Sequence, residues 1–251
     1  SDDQTLNLIR DIRSNKIRII ETVWDDTLRE GGRVLAVETD KAFREIAKDA
    51  DWAFYIQGDE ILHEKYLENV RRSMLEHIDN PEVEGLLFNY LHFYGSYDYV
   101  GESLHWYRRE IRVVRNDKNI FSYRDAQGFR KKPNDKLKVK LIDATVHHYG
   151  WVKEPRAMQE KQLSFNKYWH DDSWVEKNVV KAEEFDYSRI DSLKKFTGTH
   201  PAVMRERIQR MNWKFSRDMS MNKLKTKDKI KQWVEKHTGW RAGEYRNYKL
   251  I

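Results

Sequence analysis

The chain has 251 residues, a formal net charge of +6, 35% charged and 39% hydrophobic residues, and no cysteine. That length allows a sizeable core, and the missing cysteine excludes disulfide scaffolds, thiolate metal sites and a cysteine nucleophile. Aromatic residues reach 13% and include nine Trp, which excludes a disordered basic tail, because such chains lack the large side chains that build cores.

In chain order, Ser1 with Asp2 and Asp3 reads as a helix start, carboxylates favouring the positive end of the helix dipole, and Leu6, Ile9 and Ile12 share a face. IRII at 17–20 is a β-branched run suited to a buried strand. Gly31-Gly32 marks a turn, after which Ala42, Phe43, Ile46 and Ala47 keep helical spacing. DWAFYIQ at 51–57 reads as a strand, and Leu67, Val70, Met74 and Ile78 predict a helix directly after it. This alternation implies an α/β fold, a mainly parallel central sheet flanked by helices. The stretch 84–100 is dense in aromatics, and in REIRVVRN (109–116) Ile111 and Val113 alternate with Glu110 and Arg112, as in a half-exposed strand. Pro133 to Asp135 forms a turn, LIDATVHHYGWV (141–152) is strand-like, and the pattern from Pro155 onward is mainly helical. Past a break at 197–201, Val203, Arg207 and Met211 begin a helix with a basic polar face. The expected organisation is an α/β domain over 1–155 and a mostly helical extension over 156–251.

Charge is unevenly placed. Between Arg205 and Lys236 there are eleven Lys and Arg against four Asp and Glu, so the rest of the chain is close to neutral. A basic segment of this kind fits nucleic acid, an anionic membrane surface or phosphorylated small molecules. The longest stretch without Asp, Glu, Lys or Arg, Gly85 to Tyr97, is well short of the roughly 20 apolar residues that span a bilayer. The opening residues lack an apolar signal run. A cytoplasmic protein, peripheral to the inner face of the membrane if the basic helices lie on lipid, is the expectation.

The sharpest local feature is FYIQGDEILHE (54–64). An apolar strand stops at Gln57, Gly58 permits a tight backbone, and Asp59 and Glu60 follow at the strand's carboxyl end, where α/β sheets bind ligands. Two carboxylates there can hold Mg²⁺ or Mn²⁺ on a diphosphate; alternatively they cap the following helix. Of the adjacent His147 and His148, at most one can face a crevice, because neighbouring strand residues point opposite ways.

SDDQTLNLIRDI, GGRVLAVETDKAFREIAKDADWAFYIQGDE and VHHYGW, in that order, resemble family-2-type glycosyltransferases of the GT-A fold. Ser1, Asp3 and Thr5 match the end of that family's opening DxxSxDxT motif, and Asp51 to Glu60 look like the stretch ending in its DxD-like metal motif. Asp59 takes the second acidic position, and Gln57 stands at the first. The family's first strand and helix, which build the nucleobase pocket, are missing before Ser1. The resemblance implies a nucleoside-diphosphate-sugar donor, a glycan or lipid-linked acceptor and inverting transfer. It implies Asp59 and His148 as metal ligands, with Mn²⁺ favoured over Mg²⁺ by the imidazole. Asp59, Glu60, Arg130 and Lys161 are the candidates for the donor's diphosphate. Asp125, then Glu102, are the candidates for the general base, with Asp98 and Asp143 behind them. Arg112 and Arg115 are further candidate cations, and the aromatic run could supply sugar-stacking platforms. The alternative from another class is a nucleic-acid-binding module built on the helices of 205–236; the resemblance argues against nucleic acid as the partner.

Overall fold

The computed structural model describes residues 4–179 and 181–251; the helix start expected at Ser1 to Asp3 lies outside them. Helices α1 (Thr5–Asp11) and α2 (Arg33–Arg44) precede β1 (Trp52–Phe54) and β2 (Glu60–Leu62), and α3 (Leu67–Glu76) follows. Then come β3 (Gly85–Tyr94), β4 (Tyr99–Gly101), β5 (Arg109–Arg115), β6 (Ile120–Tyr123), β7 (Gly128–Lys131) and the long β8 (Asp135–Trp151). The remainder holds α4 (Pro155–Asn166), α5 (Asp172–Asn178), β9 (Leu193–Lys195), α6 (Arg205–Gln209), α7 (Thr226–Thr238) and β10 (Tyr248–Leu250).

The ten strands form a curled, mixed and mostly antiparallel sheet, with β1, β5, β3, β8, β7 and β6 in that order along its main path. Among the described residues, only the β3–β8 and β10–β8 pairings are parallel. The expected mainly parallel sheet flanked by helices is therefore wrong. The reason is in the connections: a parallel pair needs a crossover of a dozen residues or more, whereas 116–119 leads from β5 to β6 in four residues and 124–127 and 132–134 join β6 to β7 and β7 to β8 as tight antiparallel turns. The IRII run fails for a related reason. Ile17, Ile19 and Ile20 pair with no strand and lie exposed in irregular chain.

β3 divides the core by its two-residue period. Leu86 and Phe88 pack with Val113, Ala144 and Val70 of α3 on one face; Leu87 packs with Ile111, Phe129 and Val139 on the other, against Phe43 and Ile46 near the end of α2. Both faces of β5 are consequently covered, and its expected half-exposure does not occur: Glu110 and Arg112 are buried along with Ile111 and Val113.

Beyond 155, helix is sparser than its periodicity suggested. The helix expected from Val203 is one 3₁₀ turn followed by the five residues of α6. This half also returns to the sheet, β9 pairing with β4 and β10 with β8, so residues on both sides of 155 share it. Among the described residues, no helix is long and apolar enough to cross a membrane.

Candidate active-site cleft

A cleft of about 2290 Å³ opens beside the carboxyl end of β1. It exceeds the roughly 300–1,000 Å³ of sites for one small ligand, so it has room for more than one small molecule. Leu35, Phe43, Tyr55, Phe165 and Trp169 line one part, Trp106, Tyr107 and Trp151 another, and Lys223, Lys225, Lys227 and Lys231 stand along a basic rim.

Asp59, His148 and Lys161 meet in this cleft. β2 pairs antiparallel with β8, setting Glu60 opposite His148, and the Tyr149 amide donates to the Asp59 carbonyl at 2.8 Å. The Asp59 carboxylate is thereby held beside the end of β8, with Oδ2 3.6 Å from His148 Nε2 and 3.4 Å from Lys161 Nζ. Lys161, on α4, also donates to the Gly150 carbonyl at 2.9 Å. Burial pushes the Asp59 carboxyl up, but the His148 hydrogen bond and charge, reinforced by Lys161, outweigh it and hold Asp59 well below the usual carboxylate range. Gly150 leaves the room these groups occupy: a Cβ there would lie 2.5 Å from Asp59 Oδ2 and 2.6 Å from His148 Nε2. A strand glycine at a close approach is the expected device.

Sequence reasoning missed His92, the residue that orients His148. His92 Nε2 lies 2.9 Å from the Tyr107 carbonyl, which can only accept, so this nitrogen carries the proton. Nδ1 of His92 is then an acceptor for His148 Nδ1–H at 3.2 Å, which turns His148 Nε2 toward Asp59. Burial and the nearby His148 push His92 down to about 3, consistent with a neutral ring. The available signal was its register, His92 lying opposite His148 in the parallel β3–β8 pair. His147 points the other way, buried against His63, Phe93 and Phe196, as the strand period requires.

A metal ion that displaces the Nε2 proton would find Asp59 Oδ2 and His148 Nε2 as two converging ligand atoms, a donor set suited to a divalent ion of the manganese type. Among the described residues, no third His, Asp or Glu completes a metal-holding group. An ion held by this pair would take its remaining ligands from outside these two side chains.

Glu60 is elsewhere. Its carboxylate receives Arg112 Nε at 2.8 Å and Nη2 at 2.7 Å, both side chains fully buried, and the Tyr90 hydroxyl donates to it. The ion pair fixes the 57–60 loop from below and does not face the cleft. Neither acid caps a helix: Glu60 starts β2, and His63 caps the turn before α3. Gln57, at the position where the resemblance expects an acid, donates through Nε2 to the Tyr55 hydroxyl at 2.9 Å and to the Ala126 carbonyl at 3.4 Å.

That second bond ties the Asp59 loop to the β6–β7 turn, which carries Asp125 into the cleft. Arg124 and Ala126 on either side hold φ of 56° and 60°, a left-handed conformation that costs non-glycine residues energy. Gly32, itself at φ 72°, admits this turn: a Cβ there would lie 2.5 Å from Asp125 Cβ. Burial pushes the Asp125 carboxyl above its ordinary value, against hydrogen bonds from its own backbone and that of Gln127.

The other candidates are not brought together with Asp59. The Glu102 side chain is exposed and takes Ser192 Oγ at 3.3 Å. Arg130 is buried outside the cleft over the Tyr123 ring, 4.5 Å from its centroid. Arg115 stacks on Trp52 and donates to four carbonyls around the end of α3. Asp143 faces Asn69 and Asp98 faces Ser96. No protein-family model matches the chain, and no curated protein matches it.

Proposed function

We propose that this cleft transfers a sugar from a nucleoside-diphosphate donor to a glycan or lipid-linked acceptor with inversion. The observation that carries the reading is the convergence of Asp59 Oδ2, His148 Nε2 and Lys161 Nζ in a cleft large enough for donor and acceptor together. Asp59 and His148 would hold a Mn²⁺ or Mg²⁺ ion shared with the donor's diphosphate, and that ion supplies Lewis-acid stabilisation of the leaving group. Lys161 places a mobile positive charge beside the same oxygens. Asp125, raised by burial toward the working pH of a base, accepts the acceptor hydroxyl proton. The hydroxyl oxygen bonds to the anomeric carbon as that carbon's bond to the diphosphate oxygen breaks from the opposite face. The electron pair leaves with the nucleoside diphosphate. The aromatic wall of Trp106, Tyr107 and Trp151 offers faces on which sugar rings stack.

The test is nucleoside diphosphate release from a panel of nucleotide sugars with Mn²⁺ present. Wild-type protein is expected to turn over at least one donor slowly in water and faster with an acceptor, and Asp59→Asn to abolish both with folding intact. Release unaffected by Asp59→Asn, or no binding of any nucleoside diphosphate by calorimetry, overturns the reading.

A further inference from the structure

Helix α7 is amphipathic in the reverse sense. A surface helix normally turns its apolar stripe inward, yet Ile230 and Trp233 are 61% and 62% exposed. Apart from the half-buried Val234, the inward residues are polar. Gln232 Nε2 donates to the Glu102 carbonyl at 2.9 Å, and Glu235 pairs with Arg108 at 3.0 Å and Arg241 at 2.7 Å. Asp228 and Lys231 line the cleft. Polar contacts and ion pairs therefore anchor the helix to the body while its apolar stripe is left outside.

The outer face is ordered by charge. At about 100° per residue, Ile230, Trp233 and His237 fall within roughly a 60° wedge, and the Trp233 and His237 rings lie 4.4 Å apart. Lys229 and Lys236 flank this wedge on one side and Lys227, which also stands on the cleft rim, on the other, all three exposed. Trp240, just beyond the Gly239 cap, adds a second exposed indole.

We propose that this face docks on a bilayer containing anionic lipid. An apolar centre with an indole, edged by lysines, matches both layers of such a surface: Ile230 and Trp233 enter the headgroup boundary while the ammonium groups meet phosphates. A second copy of the chain is a poorer occupant, since it would set these lysines against their equals around a small apolar contact. The inner side of α7 faces the cleft, so docking brings the cleft to the membrane surface. A lipid-linked acceptor would be presented there; that consequence rests on the transferase reading, whereas docking does not.

Flotation with vesicles tests it directly. Wild-type protein is expected to float with equimolar phosphatidylcholine and phosphatidylglycerol, and to stay unbound with phosphatidylcholine alone. Trp233→Glu should weaken binding at least about tenfold, and the triple change Lys227→Gln, Lys229→Gln, Lys236→Gln on the order of 100-fold, with thermal midpoints unchanged because all four side chains are exposed. Failure of the wild type to float, or equal flotation of Trp233→Glu, overturns the proposal. So does tighter binding to RNA or DNA than to vesicles at the same salt, or a dimer in sedimentation that Trp233→Glu dissolves.

Discussion

Replacing Gly150 by Ala tests the site through space alone. The methyl would lie 2.5 Å from Asp59 Oδ2 and 2.6 Å from His148 Nε2, where ordinary contact begins at 3.4 Å. The carboxylate must retreat by about 0.9 Å and the imidazole by about 0.8 Å, the shortfalls from that contact distance. Neither can do so easily: His92 holds the ring and the β2–β8 pairing holds the Asp59 backbone. Misplacement on the order of 1 Å at a reacting centre costs about 100-fold in rate, so turnover should fall by that order. Binding of nucleoside diphosphate with Mn²⁺, read by calorimetry, should weaken in parallel. Stability should fall modestly, because overpacking costs about 1–3 kcal/mol and Ala recovers only roughly 0.5–1 kcal/mol of backbone entropy relative to Gly. Near-normal turnover and binding in Gly150→Ala would refute the assignment of the Asp59–His148 pair as the working centre.

Three further outcomes probe the frame around it. Arg112→Met strands the Glu60 carboxylate in the core at a cost of about 3–5 kcal/mol, which at about 2–4 °C per kcal/mol for a chain of this size lowers the thermal midpoint by about 6–20 °C. The double change with Glu60→Leu should recover much of that loss, and a double variant no more stable than the single one contradicts the pairing. Burial pushes the Glu110 carboxyl from 4.5 up to about 8, Arg112 opposing it. The folded chain therefore keeps a proton there that the unfolded chain has lost: the contribution is fully present below about pH 4.5, falls by up to about 1.4 kcal/mol per pH unit as pH rises, and is gone above about pH 8. Glu110→Gln should flatten that limb of the melting profile, and superimposable profiles would show that Glu110 is ionised throughout. His92→Phe keeps ring bulk but removes the acceptor for His148 Nδ1–H; joint binding of Mn²⁺ and nucleoside diphosphate should weaken about 10–100-fold, and calorimetry matching wild type would remove His92 from the site.

Local pattern carried part of this architecture. β1, α3 and β8 follow from runs of apolar residues with the right period, and period two alone separates His148 in the cleft from His147 in the core. The sheet's direction was not local information. The alternation around β1 and α3 looks like the start of a parallel sheet, and only the short turns after β5 fold the following strands back on one another. The carboxylates were the hardest to sort. Asp59 and Glu60 are neighbours with identical chemistry in sequence, yet one faces the cleft and the other faces Arg112, 52 residues away. Glu110 and Arg112 likewise read as a solvent face because nothing near them reveals that both faces of β5 are covered. Lys161 is one of several candidate cations in the sequence, and its reach to Asp59 depends on how α4 crosses the end of β8.

The length of β8 limits how this protein can change. Its seventeen residues run between β3, β2, β7 and β10, and His147 and His148 differ only in which side of that strand they occupy. An insertion of one residue upstream within the strand would turn His148 into the core and bring His147 to the place next to Asp59, and a deletion would draw His148 into the core place of His147. Point substitutions can be absorbed one at a time along β8, but a change in its length cannot unless a bulge takes it up. Variation in length among descendants of this sequence should therefore collect in the turns at 116–119, 124–127 and 132–134, leaving the spacing from Asp135 to Trp151 constant.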